Sequence, residues 1–218
     1  MQPVVLASAS PRRRELLSSF GIPLIVNAAG IDESFLGGQE LPEEVARRLA
    51  LSKARFVADR NSFELPILGA DTIVSLDGRI LGKPKTRTEA QQMLRDLRGR
   101  SHQVITGVAV IEPITRRVLV EHKGSGVMMR RYSDAEIEAF VATGEAMDKA
   151  GAYGIQDALF HPVASVVGCY SNVMGLPMCT AIRMLKELGR RVSPLLGWEP
   201  PGPCLKCEAL GREERAIS

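Results

Sequence analysis

The chain has 218 residues, of which 45% are hydrophobic and 24% are charged, a composition typical of one large α/β domain or two small lobes. Its net charge of +3 is mild and favours neither a nucleic-acid groove nor an anionic membrane surface. It has no apolar run of the roughly 18 residues that span a bilayer, no basic segment of a signal peptide and only four cysteines, so we expect a cytoplasmic protein without a disulfide scaffold.

A short strand and a helix with a basic first turn open the chain. Residues 3–7 are apolar and predict the strand, after which Ser10 and Pro11 suit the N-cap and the first helical position. Three arginines at residues 12–14 then place cations where the helix dipole opposes them, at a cost of a few tenths to about 1 kcal/mol each. A bound anion would reverse that sign, so this turn predicts a phosphate site, with a solvated basic helix start as the alternative.

Two acids and one lysine are the notable polar residues of the segment that follows. Asp32 and Glu33 come just after a predicted strand, where metal-ligating carboxylates often lie, although two adjacent acids in a loop are more often simply solvated. Lys53 lies at the edge of the apolar face of a helix predicted over residues 41–59. Its ammonium either reaches solvent along the helix surface or points into a cleft beside Asp71.

The central stretch of the chain is an apolar hairpin that carries one carboxylate. Residues 66–84 run through an apolar strand, an Asp-Gly turn and a short return strand. Asp71 lies in the middle of the first strand, where an unpaired ionised carboxylate is costly. It is therefore paired, hydrogen-bonded, metal-bound or at a cleft, and a structural salt bridge and a functional site both stay open. Lys83 follows the return strand between a glycine and a proline that restrict its backbone.

The second half of the chain alternates helices and strands around one loop of small residues. Thr86 and Ser133 each precede a glutamate by three residues, which is the capping-box signature of a helix start. Residues 148–156 (DKAGAYGIQ) permit close backbone approach to a ligand, although a tight structural turn would have the same composition. His102 is interpreted as a polar residue at a strand start, with a catalytic role as the less favoured alternative. The other predicted elements are strands at 22–29 and 101–112, one or two strands within 117–132, a strand pair within 163–173, and a last helix that starts at Gly175-Leu176-Pro177.

The C-terminal segment from residue 190 onward has no periodic pattern. Its prolines oppose a regular element, and Cys204 and Cys207 form a lone pair without the two further ligands of a zinc site. We therefore predict one domain over residues 1–189 and a flexible tail over residues 190–218, with a zinc or redox role of the cysteine pair as the alternative.

Five motifs in this order resemble the Maf family of nucleoside triphosphate pyrophosphatases, which was first named for an effect on septum formation. They are SxSPRR, ADT, GKP, DKAGAYGIQ and GLP, and the resemblance covers about residues 3–189. It implies an α/β fold with a long mixed sheet, flanking helices and two lobes around a central cleft, similar to inosine triphosphate pyrophosphatase. It also implies hydrolysis of a nucleoside triphosphate to the monophosphate and pyrophosphate with Mg²⁺ or Mn²⁺, often by a homodimer.

The resemblance also implies a set of site residues, carried over motif by motif. Asp71 of ADT would be the catalytic carboxylate, and Asp71 and Glu33 would hold the metal. The further polar groups of the substrate site would be Ser8, Arg12, Arg13, Lys53 and Lys83.

The branch of the family that acts on dTTP and UTP resembles this chain at Arg12, Thr72 and Gln156. The branch that acts on 7-methyl-GTP has a tryptophan in place of that arginine and lacks the AYGIQ loop. The Gln156 amide offers both a donor and an acceptor to a uracil or thymine edge. The alternatives are a purine-selective or 7-methyl-GTP-selective pyrophosphatase and, from another class, a non-enzymatic nucleotide-binding regulator of cell division.

Overall fold

A computed structural model describes residues 3–31, 40–199 and 201 as an α/β structure. The strands are β1 (Val4–Leu6), β2 (Leu24–Val26), β3 (Ile67–Leu76), β4 (Arg79–Leu81), β5 (Ser101–Glu112), β6 (Arg117–Met129) and β7 (Val163–Val167). The helices are α1 (Pro11–Ser19), α2 (Pro42–Arg60), α3 (Arg87–Leu97), α4 (Asp134–Ala142), α5 (Tyr170–Val173) and α6 (Met178–Glu187). Within these residues, no helix has both the length and the apolar character needed to cross a bilayer.

The described strands form one mixed sheet in the order β2-β1-β3-β5-β6-β7, with β4 paired to part of β3. β1 is parallel to β2 and β3, whereas all pairings from β3 through β5 and β6 to β7 are antiparallel. β3, β5 and β6 are the long strands, and β3 is buried along nearly its whole length. The predicted class, a long mixed sheet with flanking helices, is confirmed.

Two core regions share the long strands β3 and β5. Leu68 and Ala70 in the first half of β3 pack with α1 and α6, whereas Val74 and Leu76 in its second half pack with α3 and α4. Asp71 lies between these two halves, so the strand carries its carboxylate to the place where the two core regions meet. This arrangement agrees with the two lobes and the central cleft that were predicted.

Helix α2 lies in very close contact with the backbone of the two central strands. An added Cβ at Gly107 of β5 would lie 2.1 Å from the Ala46 carbonyl oxygen, and one at Gly69 of β3 would lie 2.3 Å from the Ala50 carbonyl oxygen. Gly107 is also the register partner of Asp71. These two glycines therefore permit α2 to approach the sheet closely on the face from which the central carboxylate projects.

Three local predictions differ from the structure. Residues 163–173 do not form a strand pair, because Gly168 has a φ of +112° after β7 and the chain then turns into the short helix α5. Ser10 occupies the N-cap position of α1 without a capping hydrogen bond from its side chain. The Thr86 hydroxyl caps α3, but the Glu89 carboxylate accepts from the Lys85 N–H instead of completing the box. The box at Ser133 is complete, as predicted.

The described part of the C-terminal segment, residues 190–199, contacts the domain. Val192 is buried in the core region of α1 and α6, and the Trp198 ring meets the Phe20 ring edge to face at a centroid distance of 4.8 Å. Cys204 and Cys207 lie outside the described residues. The boundary at residue 189 and the flexibility of the tail stay predictions.

Candidate active site

A cavity of about 1210 Å³ opens at the place where the two core regions meet. The start of α1, the middle of β3, the segment after β4 and the loop around residues 148–159 all contribute to its wall. The predicted site residues that line it are Ser8, Arg12, Arg13, Lys53, Asp71, Thr72, Lys83 and Gln156. Asp32 and Glu33 lie outside the described residues. The structure brings every other side chain of the predicted site to this cavity.

Asp71 and Lys53 form a buried ion pair at the wall of this cavity. Their side chains are 9% and 8% exposed, and the Lys53 Nζ donates to the Asp71 Oδ1. Lys53 therefore points into the cleft, which was one of the two orientations that its helical position allowed. A buried pair of this kind contributes little stability compared with well-packed apolar residues of similar volume. Its position at a cavity indicates a chemical role more than a structural one.

Arg13 is held in a fixed orientation by acceptors from three parts of the chain. Its Nε donates to the Gly175 carbonyl oxygen at 2.8 Å, its Nη1 to the Ser8 Oγ at 2.9 Å and its Nη2 to the Thr72 Oγ1 at 3.1 Å. Gly175 has a φ of +112°, a conformation that L side chains rarely adopt, so the GLP turn presents its carbonyl group at the cost of requiring glycine. The sequence indicated Gly175 as a helix start and as part of the GLP motif, and its contact with Arg13 was missed.

A chain of buried hydroxyl and amide groups continues from Arg13 into the sheet. The Thr72 Oγ1 lies 3.0 Å from the Thr106 Oγ1, which in turn donates to the Asn172 carbonyl oxygen at 3.1 Å. Thr106 and Asn172 are fully buried, and neither was identified from the sequence. Thr106 is the register partner of Thr72 across β3 and β5, so strand pairing was the signal that would have indicated Thr106. The Thr72 hydroxyl thus supports Arg13 as well as lining the cavity.

Loop 150–156, the part of the predicted loop that includes AYGIQ, is anchored on two sides. The Gly151 N–H donates to the Gly82 carbonyl oxygen at 3.1 Å, which ties the loop to the segment that carries Lys83. On the other side, the Tyr153 hydroxyl lies 2.6 Å from the His102 Nε2. His102 is only 3% exposed. Its interpretation as a polar residue at a strand start therefore missed both its burial and its hydrogen bond with Tyr153.

The model of the family described as Maf-like protein matches residues 3–188. The chain belongs to the Maf family. Several relatives carry the name dTTP/UTP pyrophosphatase. The one from Thermomicrobium roseum is 48% identical over 94% of this chain and 92% of its own length. The one from Symbiobacterium thermophilum is 48% identical over 87% of this chain and 95% of its own length, and the one from Pelotomaculum thermopropionicum is 44% identical over 88% of this chain and 100% of its own length. A solved structure of a HAM1 protein from Coxiella burnetii aligns with 75% of this chain and 81% of its own, with a TM-score of 0.43 and 22% identity.

The Maf resemblance implies a divalent cation. Within residues 3–31, 40–199 and 201, no group of three or more His, Cys, Asp or Glu residues is placed to hold a metal ion. Mg²⁺ in nucleotide sites is usually held by one or two carboxylates together with substrate phosphates and water. Asp71 supplies one such carboxylate at the cavity wall, so the donor set fits a cation that binds with the nucleotide.

The buried His102 gives this Maf protein a predictable response to acid. Burial lowers the pKa of His102 from 6.5 to about 4, so the unfolded chain takes up a proton between these values that the folded chain does not. The stability that depends on neutral His102 is therefore present above pH 6.5 and is lost as the pH falls toward 4, at about 1.4 kcal/mol per pH unit.

Urea unfolding of wild type and His102→Gln at roughly pH 7 and pH 4.5 measures this effect. Because glutamine does not titrate, the variant is expected to lose about 2 kcal/mol less unfolding free energy than wild type between the two pH values. Equal losses in the two proteins would contradict the assignment to His102, since all other titrating groups are common to both.

Proposed function

We propose that this chain hydrolyses dTTP and UTP, or modified pyrimidine nucleotides, to the monophosphate and pyrophosphate. The observation that carries the proposal is the buried Asp71–Lys53 pair at the wall of a cavity that is also lined by Arg12, Arg13 and Lys83. A carboxylate beside several cations suits a reaction in which an anionic substrate must be bound and a water must be deprotonated. The names of the relatives support the same reaction and the same nucleotides.

In the proposed reaction a water molecule attacks the α-phosphorus of the nucleotide. The water oxygen forms the new bond, the bond from the α-phosphorus to the bridging oxygen breaks, and pyrophosphate leaves. Asp71 accepts the proton of the attacking water, and Lys53 orients that carboxylate. The triphosphate carries about four negative charges, so positioning and charge stabilisation supply most of the catalysis. Arg13, which Ser8, Thr72 and Gly175 hold in place, is oriented before the substrate binds.

The start of α1 would bind the phosphates. Ser8 and Arg13 are buried side by side at this helix start, and Arg12 lies half-buried at the cavity wall next to them. Helix N–H groups and guanidinium groups are donors that phosphate oxygens accept. The arginine charges at the helix N-terminus oppose the dipole of the isolated helix, and the bound triphosphate would make their position favourable. Lys83, which also lines the cavity, would contact the same anion.

A divalent cation, Mg²⁺ or Mn²⁺, would be held by Asp71 and Glu33 together with phosphate oxygens, and when bound it would supply Lewis-acid stabilisation of the phosphate charge. Asp71 then has two proposed roles, as metal ligand and as proton acceptor. Titration of the protein with Mn²⁺ alone, followed by electron paramagnetic resonance, separates them, because a ligand role requires weaker Mn²⁺ binding in Asp71→Asn.

Base selection would involve Gln156, Thr72 and Arg12. Gln156 is an exposed residue of the cavity wall, where its amide is available to a base. A purine-selective pyrophosphatase would use the same chemistry with a different preference. A non-enzymatic regulator would bind nucleotide without releasing pyrophosphate, and the Asp71–Lys53 pair argues against it because binding alone does not require a buried carboxylate among cations.

Pyrophosphate release from a panel of nucleoside triphosphates, with Mg²⁺, with Mn²⁺ and with a chelator, tests the proposal. Selective cleavage of dTTP and UTP that requires the cation is expected. Preferred cleavage of dATP, dGTP or 7-methyl-GTP would retain the reaction and refute the pyrimidine preference. Binding of nucleotide without release of pyrophosphate would refute the enzyme and favour the regulator.

A homodimer in the cytoplasm is the proposed setting of this activity. The proposal comes from the family resemblance and from the sequence composition, and neither requires nucleic acid or a membrane as a partner. Light scattering of the purified protein at several concentrations measures the oligomeric state directly, and a monomer at all concentrations would refute the dimer.

A further inference from the structure

Tyr153 is buried and polar, and it belongs both to the cavity wall and to the core. Its side chain packs in the core region of α3 and α4, and the residue is 6% exposed. Its hydroxyl group lies 2.6 Å from the Nε2 of His102, at the start of β5, and the two rings meet edge to face at 5.4 Å. Among the described residues, Tyr153 lines the cavity and His102 does not. His102 therefore reaches the cavity wall through its contact with Tyr153.

The backbone before Tyr153 has an unusual conformation that requires support. Gly151 and Ala152 have φ values of +69° and +62°, and Ala152 is completely buried. Two successive residues in this region are unfavourable for alanine, so the surrounding contacts must hold them. Those contacts are the Gly151 N–H bond to Gly82, the Ala152 N–H bond to Lys149 and the side-chain bond of Tyr153 to His102.

The residues after Tyr153 are the ones that would meet the base. Gly154 lies near Arg12, since an added Cβ at Gly154 would be 3.5 Å from the Arg12 Nη1. Gln156 follows two residues later, at the cavity wall. A shift of Tyr153 would therefore move Gln156 relative to Arg12, and these are two of the three residues to which the proposed function assigns pyrimidine selection.

We propose that the hydrogen bond between His102 and Tyr153 positions loop 150–156 for pyrimidine recognition, which makes both residues positioning residues for substrate selectivity. This inference rests on the proposed function. It assigns to this buried pair, which is separate from the Asp71–Lys53 pair, the task of fixing Gln156 and Arg12 relative to each other. Removal of the bond loosens base recognition and leaves the chemical step in place.

Tyr153→Phe is the direct test, because it removes the hydroxyl and retains the ring. We expect kcat/KM for dTTP to fall about fivefold, the effect of one lost hydrogen bond, almost entirely through KM. The ratio of kcat/KM for dTTP to that for dATP is expected to fall by a similar factor, because dATP makes no use of the oriented loop.

Tyr132→Phe is the matched control. Tyr132 is 2% exposed, lies in the same core region, and donates its hydroxyl to the Leu94 carbonyl oxygen of α3 at 2.8 Å, not to a residue of the loop. The Tyr132→Phe variant removes a comparable buried hydrogen bond, so it reports any effect on activity of a general loss of stability. We expect it to leave the dTTP to dATP ratio within twofold of wild type.

Variants of His102 test whether it is the partner through which the Tyr153 hydroxyl positions the loop. His102→Leu is expected to reproduce the selectivity loss of Tyr153→Phe, the double variant to be no worse than either, and His102→Gln, which retains a hydrogen-bonding group, to be close to wild type. Should His102→Leu fail to fold, Tyr153→Phe decides alone.

Wild-type selectivity in Tyr153→Phe, or an equal change in Tyr132→Phe, overturns the inference and leaves the proposed function standing. A wild-type protein that cleaves no nucleotide, or that prefers purines, overturns the proposed pyrimidine function and the inference with it.

Discussion

Asp71→Asn is expected to reduce kcat for pyrophosphate release from dTTP by about 10²- to 10⁴-fold, the usual contribution of a general base. Asparagine retains the shape of the side chain and an oxygen for Lys53, but it neither accepts a proton from water nor carries the charge that a cation prefers. The predicted site is otherwise complete in the variant, so nucleotide binding should persist. Steady-state pyrophosphate release and a separate nucleotide-binding titration provide the two measurements.

The control for Asp71→Asn is Asp77→Asn in the same hairpin. Asp77 is an exposed turn residue that pairs with Arg100 at 2.5 Å, and its φ of +52° is a conformation that asparagine also tolerates. Because an exposed ion pair contributes at most about 1 kcal/mol, this variant should fold normally and retain wild-type turnover. A fully active Asp71→Asn protein would refute the catalytic assignment. A similar loss in both variants would show that the hairpin is sensitive to substitution in general.

Much of the fold was predictable from local signals in the sequence. The boundaries of β5 at residues 101 and 112 agree with the predicted strand, because its apolar run is long and uninterrupted. The capping box at Ser133 identified the start of α4 for a reason that involves only four neighbouring residues. Where the signal was weaker, as in residues 163–173, an apolar run did not distinguish a strand from the short helix α5.

The candidate site was predictable as a set of residues but not as a set of contacts. The ordered motifs indicated Asp71, Arg13 and Gln156, and the fold brings them to one cavity. The acceptors of Arg13 could not be predicted, because they come from residues 8, 72 and 175, which only the complete fold places together. His102 and Tyr153 are 51 positions apart, and a buried hydrogen bond between them has no local signature.

The close approach of α2 to the sheet is a second feature that the sequence did not indicate. Gly69 and Gly107 both lie in apolar strands, where a glycine usually weakens the strand. The structure supplies the reason, because backbone atoms of α2 occupy the space of their missing side chains. Lys53 is carried by the same helix, so this packing and the position of its ammonium beside Asp71 depend on one another.

Gly107→Ala is therefore expected to lower the free energy of unfolding by about 3 kcal/mol or more, at the upper end of overpacking effects. Its Cβ would lie 2.1 Å from the Ala46 carbonyl oxygen, and backbone atoms cannot move aside as a side chain can. Gly124→Ala is the control, because Gly124 lies in β6 with no atom within 4 Å of an added Cβ, and its effect should stay within about 0.5 kcal/mol. Urea unfolding of the three proteins measures the difference.

The same substitution is also expected to reduce activity, because relief of the clash moves α2 away from β5 and withdraws Lys53 from Asp71. Turnover should be measured well below the unfolding temperature of the variant, where the protein is still folded, so that a loss of kcat reports the displaced lysine. Equal stabilities of Gly107→Ala and Gly124→Ala would refute the close contact of helix and sheet. A destabilised Gly107→Ala with wild-type kcat would show that the Lys53–Asp71 pair tolerates a shift of α2. The packing of α2 against the sheet would then not control how the Asp71 carboxylate is oriented.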